Sequence, residues 1–281
     1  MKGLHRLLNW RLLRGSHEFP GPDGGTCISE AAVMVAGFEY RKIGSFNDCP
    51  PCFSRPISSY AIRLNDAMPD DIRQELLLPF AVRLAGTADT LAIERQRTDL
   101  IIVQTVSRIL PIVLHIHREH GLATMCEAVT TRQDARDAAR TAHAVLRSAA
   151  DASYAAYADV AAVSYVAADA AIDAYAAYAA DASVTSVAAY AAYAADAANN
   201  SVNNADYSTV DYYATYVSYA GDAISAAHST VDDEDARFKI WTAATEILDA
   251  ALRIGRQADP IEADVIIKRA EASKRRVVET V

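Results

Sequence analysis

The stretch Arg147–Asn199 reads RSAADASYAAYADVAAVSYVAADAAIDAYAAYAADASVTSVAAYAAYAADAAN, and its reading decides the fold. Alanine makes up about half of it, and tyrosine and aspartate supply most of the rest. Alanine has the most favourable helix propensity of any residue, and neither Gly nor Pro interrupts the chain between Gly121 and Gly221. At about 100° per residue, Tyr154, Tyr157, Tyr165, Tyr175, Tyr178, Tyr190 and Tyr193 share one broad sector. Asp151, Asp159, Asp169, Asp173 and Asp181 fall in the opposite one. The pattern is an amphipathic helix with a Tyr/Ala face and an acidic face.

One unbroken helix over 147–199 would run about 80 Å, whereas a compact body of 281 residues has a radius of gyration of about 19 Å. The sequence therefore predicts at least two packed helices, folding back at Ser183–Ser186 and again at Asn199–Asn204. Ser, Thr and Asn compete for backbone hydrogen bonds there and cap helix starts. YAAYAADA at Tyr175–Ala182 recurs letter for letter at Tyr190–Ala197, which suits short helices in succession. Alanine faces allow close approach of helix backbones, leaving the tyrosine rings to supply apolar contact. Tyr175 and Tyr178 are thus either packed core or a binding surface.

Charge is distributed unevenly. Residues 148–236 hold 13 acidic side chains and no Lys or Arg, while the flanking parts are each slightly basic; the net charge is −9. That balance argues against direct nucleic-acid binding. Four cysteines in 281 residues are no disulfide framework, so a reducing cytoplasm is the expected setting. Met1–Arg14 interleaves Leu and Trp with basic residues and lacks the uninterrupted apolar core of a signal peptide. Leu4, Leu7, Leu8 and Leu12 stand at helical spacing, which predicts a short helix docked on the body.

Outward from the alanine block, every other segment also reads as helix or loop. Gly15–Thr26 is a Gly/Pro loop without the order of a phosphate-cradling motif. Helices are expected over 28–36, 57–67 and 70–85, with Pro79 kinking or ending the last. Asp89–Gly121 is apolar nearly all round, which marks a core helix bent at Pro111 and stopped at Gly121; its polar interruptions come too early for a membrane span. Residues 206–227 form another helix. Asp232–Asp235 open an amphipathic one through Ile254, with Phe238, Trp241, Ala244, Leu248, Ala251 and Leu252 on its stripe and Gly255 as its cap. The fold class is all-α, a multi-helix bundle or stacked-helix array. Residues 1–147 make a helical part with Gly/Pro/Cys loops, and 148–281 an acidic helical part continuous with it.

Chemistry-bearing motifs are few. Cys49-x-x-Cys52 is compatible with plain loop cysteines, with a dithiol, or with half of a zinc site that Cys27 and His17 would complete. No strand precedes the pair, as a redox motif would require, and no second close pair supports zinc; no cofactor is expected. His115, His117 and His120 cluster near a helix end, where 117 and 120 would share a face.

The AAxAA units, preceded by Asp134-Ala-Arg-Asp-Ala-Ala-Arg-Thr-Ala-His143, resemble the alanine-rich immunity proteins of bacterial polymorphic-toxin systems over residues 90–255. That resemblance implies a non-catalytic helical protein with a protein partner. The stretches HEFPGPDGGTC and DCPPCFSRP look like those of uncharacterised bacterial proteins. From charge alone the partner is expected to be basic and to meet Asp169, Asp173, Asp181, Tyr175 and Tyr178, with no membrane involved. The alternative is a metal- or thiol-dependent protein using the loops 16–27 and 45–56.

Overall fold

A computed structural model describes residues 11–17, 25–163, 185–192, 207–258, 265–266 and 268–269. They form an all-α protein, whose strands among the described residues are a two-residue parallel ladder of β1 (Arg11–Leu12) and β2 (Gly25–Thr26). The expected N-terminal helix is corrected at its described end: Arg11 and Leu12 are extended, and Leu12 is fully buried. Residues 1–10 lie outside the described residues.

Helix α1 (Ile28–Val35) is followed by α2 (Arg55–Ala67), which starts where Ser54 accepts from the Ile57 amide. That start lies two residues before the expected one. The stretch expected as one helix over 70–85 is composite. A single α turn at Asp70–Ile72 passes into a π segment, Arg73–Leu77, then a 3-10 segment, Leu78–Arg83, with Pro79 at its start. Proline has no N–H to donate, so the ladder shifts register just ahead of it.

The same device recurs in the core helix. Helix α3 (Leu91–Gln104) gives way to a π segment, Thr105–Ile109, and resumes as α4 (Leu110–Ile116) with Pro111 in its first turn. Where a bend was expected at Pro111 the helix changes to a π segment just ahead of it, and Gly121 does not end the helix. Arg118, at φ +64°, breaks the chain, and Gly121 sits inside the next helix, α5 (His120–Glu127). By length and composition Leu91–Ile116 passes as a membrane span, contrary to the reading from its polar interruptions; half of its most apolar window is buried in the protein.

Helix α6 (Arg132–Val163) runs 32 residues and carries the helix through Arg147 into the alanine block. Its buried residues Ala135, Ala139, Ala142, Leu146 and Ala150 follow helical spacing and face α5 and α3. Residues 185–192 are helical, so Thr185 and Ser186 belong to a helix and not to the expected reversal; Ser183, Val184 and the second expected reversal at Asn199–Asn204 lie outside the described residues.

Helix α7 (Tyr207–Ser229) lies across α2 and α3, and α8 (Glu234–Leu252) packs on α3, α2 and α7. Side chains from both parts of the chain share one core, from Ile57, Leu64 and Ile101 to Val217, Ile224 and Trp241. Asp233 caps α8 by accepting from the Ala236 amide. Phe238, expected on the buried stripe, is 46% exposed; the buried face is centred instead on Ile240, Trp241, Ala244 and Ile247.

Candidate functional site

Tyr175, Tyr178, Asp169, Asp173 and Asp181, the residues favoured for binding, lie outside the described residues. The described part of the acidic half shows what such a helix does against the body. Helix α7 buries Tyr213, Ala214, Val217, Ala220, Ala223 and Ile224, and Gly221 marks its crossing of α2. A Cβ at Gly221 would stand 2.4 Å from Arg63 Cβ, so the two backbones meet where only glycine fits. Ser59 on α2 donates to the Ala214 carbonyl at 2.6 Å.

Charges meet along the same seam: Arg55 faces Asp211 at 4.0 Å and Arg63 faces Asp222 at 3.5 Å. Burial pushes the Asp222 carboxyl up, and Arg63 opposes the shift. The tyrosine stripe divides. Tyr213 is core, Tyr216 and Tyr219 pack half-buried against it, and Tyr190 is exposed. The acids divide too, with Asp151 and the run Asp232–Asp235 at the surface.

The cysteine loops are built into the core. Cys27 is the N-cap of α1, its Sγ accepting from the Glu30 amide at 3.4 Å. The buried Glu30 carboxylate is the hub of this region. It accepts from Ser16 Oγ and the amides of His17, Cys27 and Ile43, and thereby ties three loops to one helix start. Burial pushes the Cys27 thiol up, with Glu30 adding to the shift. Burial likewise pushes Cys49 up to about 11, although Ser58 hydrogen-bonds to it. Metal binding and thiol redox chemistry both use the thiolate, which burial disfavours at these two positions. Cys52 is half-buried, and its carbonyl accepts from Ala88 N. Among the described residues no three His, Cys, Asp or Glu side chains are grouped to hold a metal ion. The loops 16–27 and 45–56 therefore do not bring Cys27, Cys49, Cys52 and His17 into a ligand set.

The histidine cluster is rearranged by the break at Arg118. His115 and His120, which lie on different helices, bring their Nδ1 atoms to 3.0 Å, and His115 Nε2 meets Glu127 Oε1 at 2.9 Å. The expected pair, 117 and 120, assumed a helix that continues through 118.

A junction that sequence reasoning missed lies where α2 and α3 begin. Arg97 is fully buried and donates five hydrogen bonds: one to Glu94 Oε1 at 3.0 Å, and four to the carbonyls of Thr87, Ile254 (two) and Arg256. Glu94 Oε1 also accepts from Asp89 N at 3.0 Å, and its Oε2 from Ser54 Oγ at 2.5 Å. Burial pushes the Glu94 carboxyl up, with Ser54 and Arg97 opposing the shift. Asp89 is held below the usual range by the amides of Arg256 and Thr90, at 2.6 and 2.8 Å. Gly255, at φ +67°, makes the turn that delivers Arg256; a Cβ there would strike Ile93 and Asp89. Nothing local in the sequence links residue 54 to 94 or 97 to 254.

Beside this junction opens a cavity of about 770 Å³, walled by Phe53, Arg55, Asp89, Val210, Asp211 and Arg256 among others. Ser54, which caps α2 and donates its hydroxyl to Glu94, is buried. Comparison with family models, with curated proteins and with solved structures finds no match to this chain.

Proposed function

We propose that the protein works by binding a basic protein partner through the acidic surface of residues 148–236, without catalysis, in the manner of an immunity protein that neutralises a toxin. One observation carries this reading: 13 acidic side chains and no Lys or Arg stand in 89 consecutive residues. Internal pairing accounts for only part of that charge. Asp211 and Asp222 face α2 arginines and Asp232 faces Arg237, whereas Glu234 and Asp235 are exposed beyond that seam. A surface of one sign speeds encounter with a partner of the other. The metal- or thiol-dependent alternative is disfavoured by the burial of Cys27 and Cys49.

The test is capture of partners from the native host with the full chain, followed by association kinetics with the captured protein. A variant carrying Asp169→Asn, Asp173→Asn and Asp181→Asn is run beside the wild type. Association is expected to slow with salt, since exposed charges are screened beyond about 8 Å at physiological ionic strength. The triple variant is expected to lower the on-rate about tenfold and leave the helical content unchanged. The same partner arriving at the same rate with both proteins would overturn the reading.

A further inference from the structure

The cavity at the start of α2 and α3 has a chemistry of its own, separate from the acidic surface. Its volume of about 770 Å³ lies within the range of small-molecule sites, which is roughly 300–1,000 Å³. Three carboxylates line it, and two of them are already occupied. Glu94 accepts from Arg97, Asp89 N and Ser54 Oγ, while Asp89 accepts from the amides of Thr90 and Arg256. Both serve to hold the junction together.

The cations are not occupied in the same way. Arg256 contributes its backbone to the junction through N and O, and its guanidinium charge acts on Asp89 without a hydrogen bond to it. Arg55 gives Nη1 to the Phe46 carbonyl at 2.5 Å and stands 4.0 Å from Asp211 through Nε, so its Nη2 donor remains. Thr90 uses its hydroxyl oxygen to accept from the Ile93 amide, which leaves the O–H to donate. Apart from the Asp211 carboxylate, 4.0 Å from Arg55, the hydrogen-bonding capacity left in the cavity is donor capacity, and two of its three sources are arginines. The positive ends of α2 and α3 add to the same field. Phe53 and Val210 add apolar atoms to the lining.

We infer that this cavity binds a small organic anion, with a carboxylate or phosphate head held by Arg55, Arg256 and Thr90 and an apolar body against Phe53 and Val210. Guanidinium groups suit both heads because each offers two oxygens to a planar fork of donors. Asp211 competes with the ligand for Arg55, which gives the site a distinctive signature: removing one negative charge should tighten binding.

The experiment is calorimetric titration of the full chain with phenyl phosphate, phenylacetate, inorganic phosphate and benzyl alcohol. The two aromatic anions are expected to bind saturably at one site, and whichever binds more tightly identifies the head group; benzyl alcohol is expected to show no binding. Arg256→Gln leaves the backbone contacts of the junction in place and should weaken the aromatic anions about tenfold or more. Asp211→Asn should strengthen them several-fold. Because that gain cannot arise from a misfolded variant, it tests the site independently of stability. No saturation by either aromatic anion up to about 10 mM would overturn the assignment. Equal binding by benzyl alcohol, or affinities unmoved by both substitutions, would overturn it too. Partner capture through Asp169, Asp173 and Asp181 is a separate readout, so either proposal can fail alone.

Discussion

Helix α7 and the Arg97 junction sit on neighbouring faces of α2 and α3 and are held by opposite means. Helix α7 is held by shape, with alanines, Val217 and one glycine letting its backbone close on α2. The junction is held by polar satisfaction, with a fully buried guanidinium drawing the turns 84–90 and 253–256 onto one side chain. The first kind of contact is spread over many small groups. The second is concentrated in two. Substitutions should therefore be graded along the α7 seam and abrupt at the junction.

The largest effect is expected from Arg97→Ala. It leaves Glu94 buried without its ion partner and frees four carbonyl contacts at once. Breaking one side of a buried pair costs about 3–5 kcal/mol, and denaturant unfolding of the full chain should show a loss of that order. A loss under about 1 kcal/mol would mean that water reaches the junction and that the contrast with α7 is false.

On the α7 side, Gly221→Ala is the sharper probe. In a free helix this change is worth about 1 kcal/mol in favour of alanine. Here the added Cβ meets Arg63 Cβ at 2.4 Å and Cγ at 3.0 Å, and the first of these cannot swing aside without moving α2. The net outcome is expected to be a destabilisation of about 1–3 kcal/mol, read as a lowered unfolding midpoint with an unchanged denaturant slope. A stabilised variant would show that α7 lies farther from α2 than its seam indicates.

The same contrast separates what was legible in the sequence from what was not. Helices expected over 28–36, 57–67 and 232–254 are found at 28–35, 55–67 and 234–252, because apolar spacing and the acidic run 232–235 are local signals, whereas the caps Cys27 and Ser54 were not read. The two π segments were not visible. Pro79 and Pro111 mark a defect, but its resolution into a shifted ladder depends on what the chain packs against. Phe238 was misplaced because it lies at the edge of a wheel sector, and the neighbouring helices face the side of Ile240 and Ile247. The histidine pairing was missed because Arg118 carries no glycine-like signal for its left-handed backbone. The cavity and the Arg97 junction join residues that lie far apart in sequence, and no periodicity links them. Charge, a property of composition, was readable throughout, and so the acidic surface was the function read first.

The smallest effect concerns His228, at the end of α7, where shape and polarity meet. Its ring lies 5.0 Å from that of Trp241, which is fully buried. Burial lowers the histidine pKa from its ordinary 6.5, and the nearby Arg237 guanidinium lowers it further. The folded state therefore favours the neutral ring. The stability this contributes is fully present above the unfolded value of about 6.5 and is lost as pH falls through the lowered folded value. Glu94 works in the other direction: its raised pKa favours the folded state as pH falls, so a single wild-type pH profile mixes the two. The difference between wild type and His228→Phe removes Glu94 and keeps His228, because phenylalanine retains the ring contact and cannot titrate. Unfolding midpoints at pH 7.5, 6.5 and 5.5, roughly spanning the histidine range, should show the wild type losing stability relative to the variant as pH drops. Parallel profiles would place His228 in solvent in both states, and the buried Ala227 and Val231 would then hold the end of α7 without it.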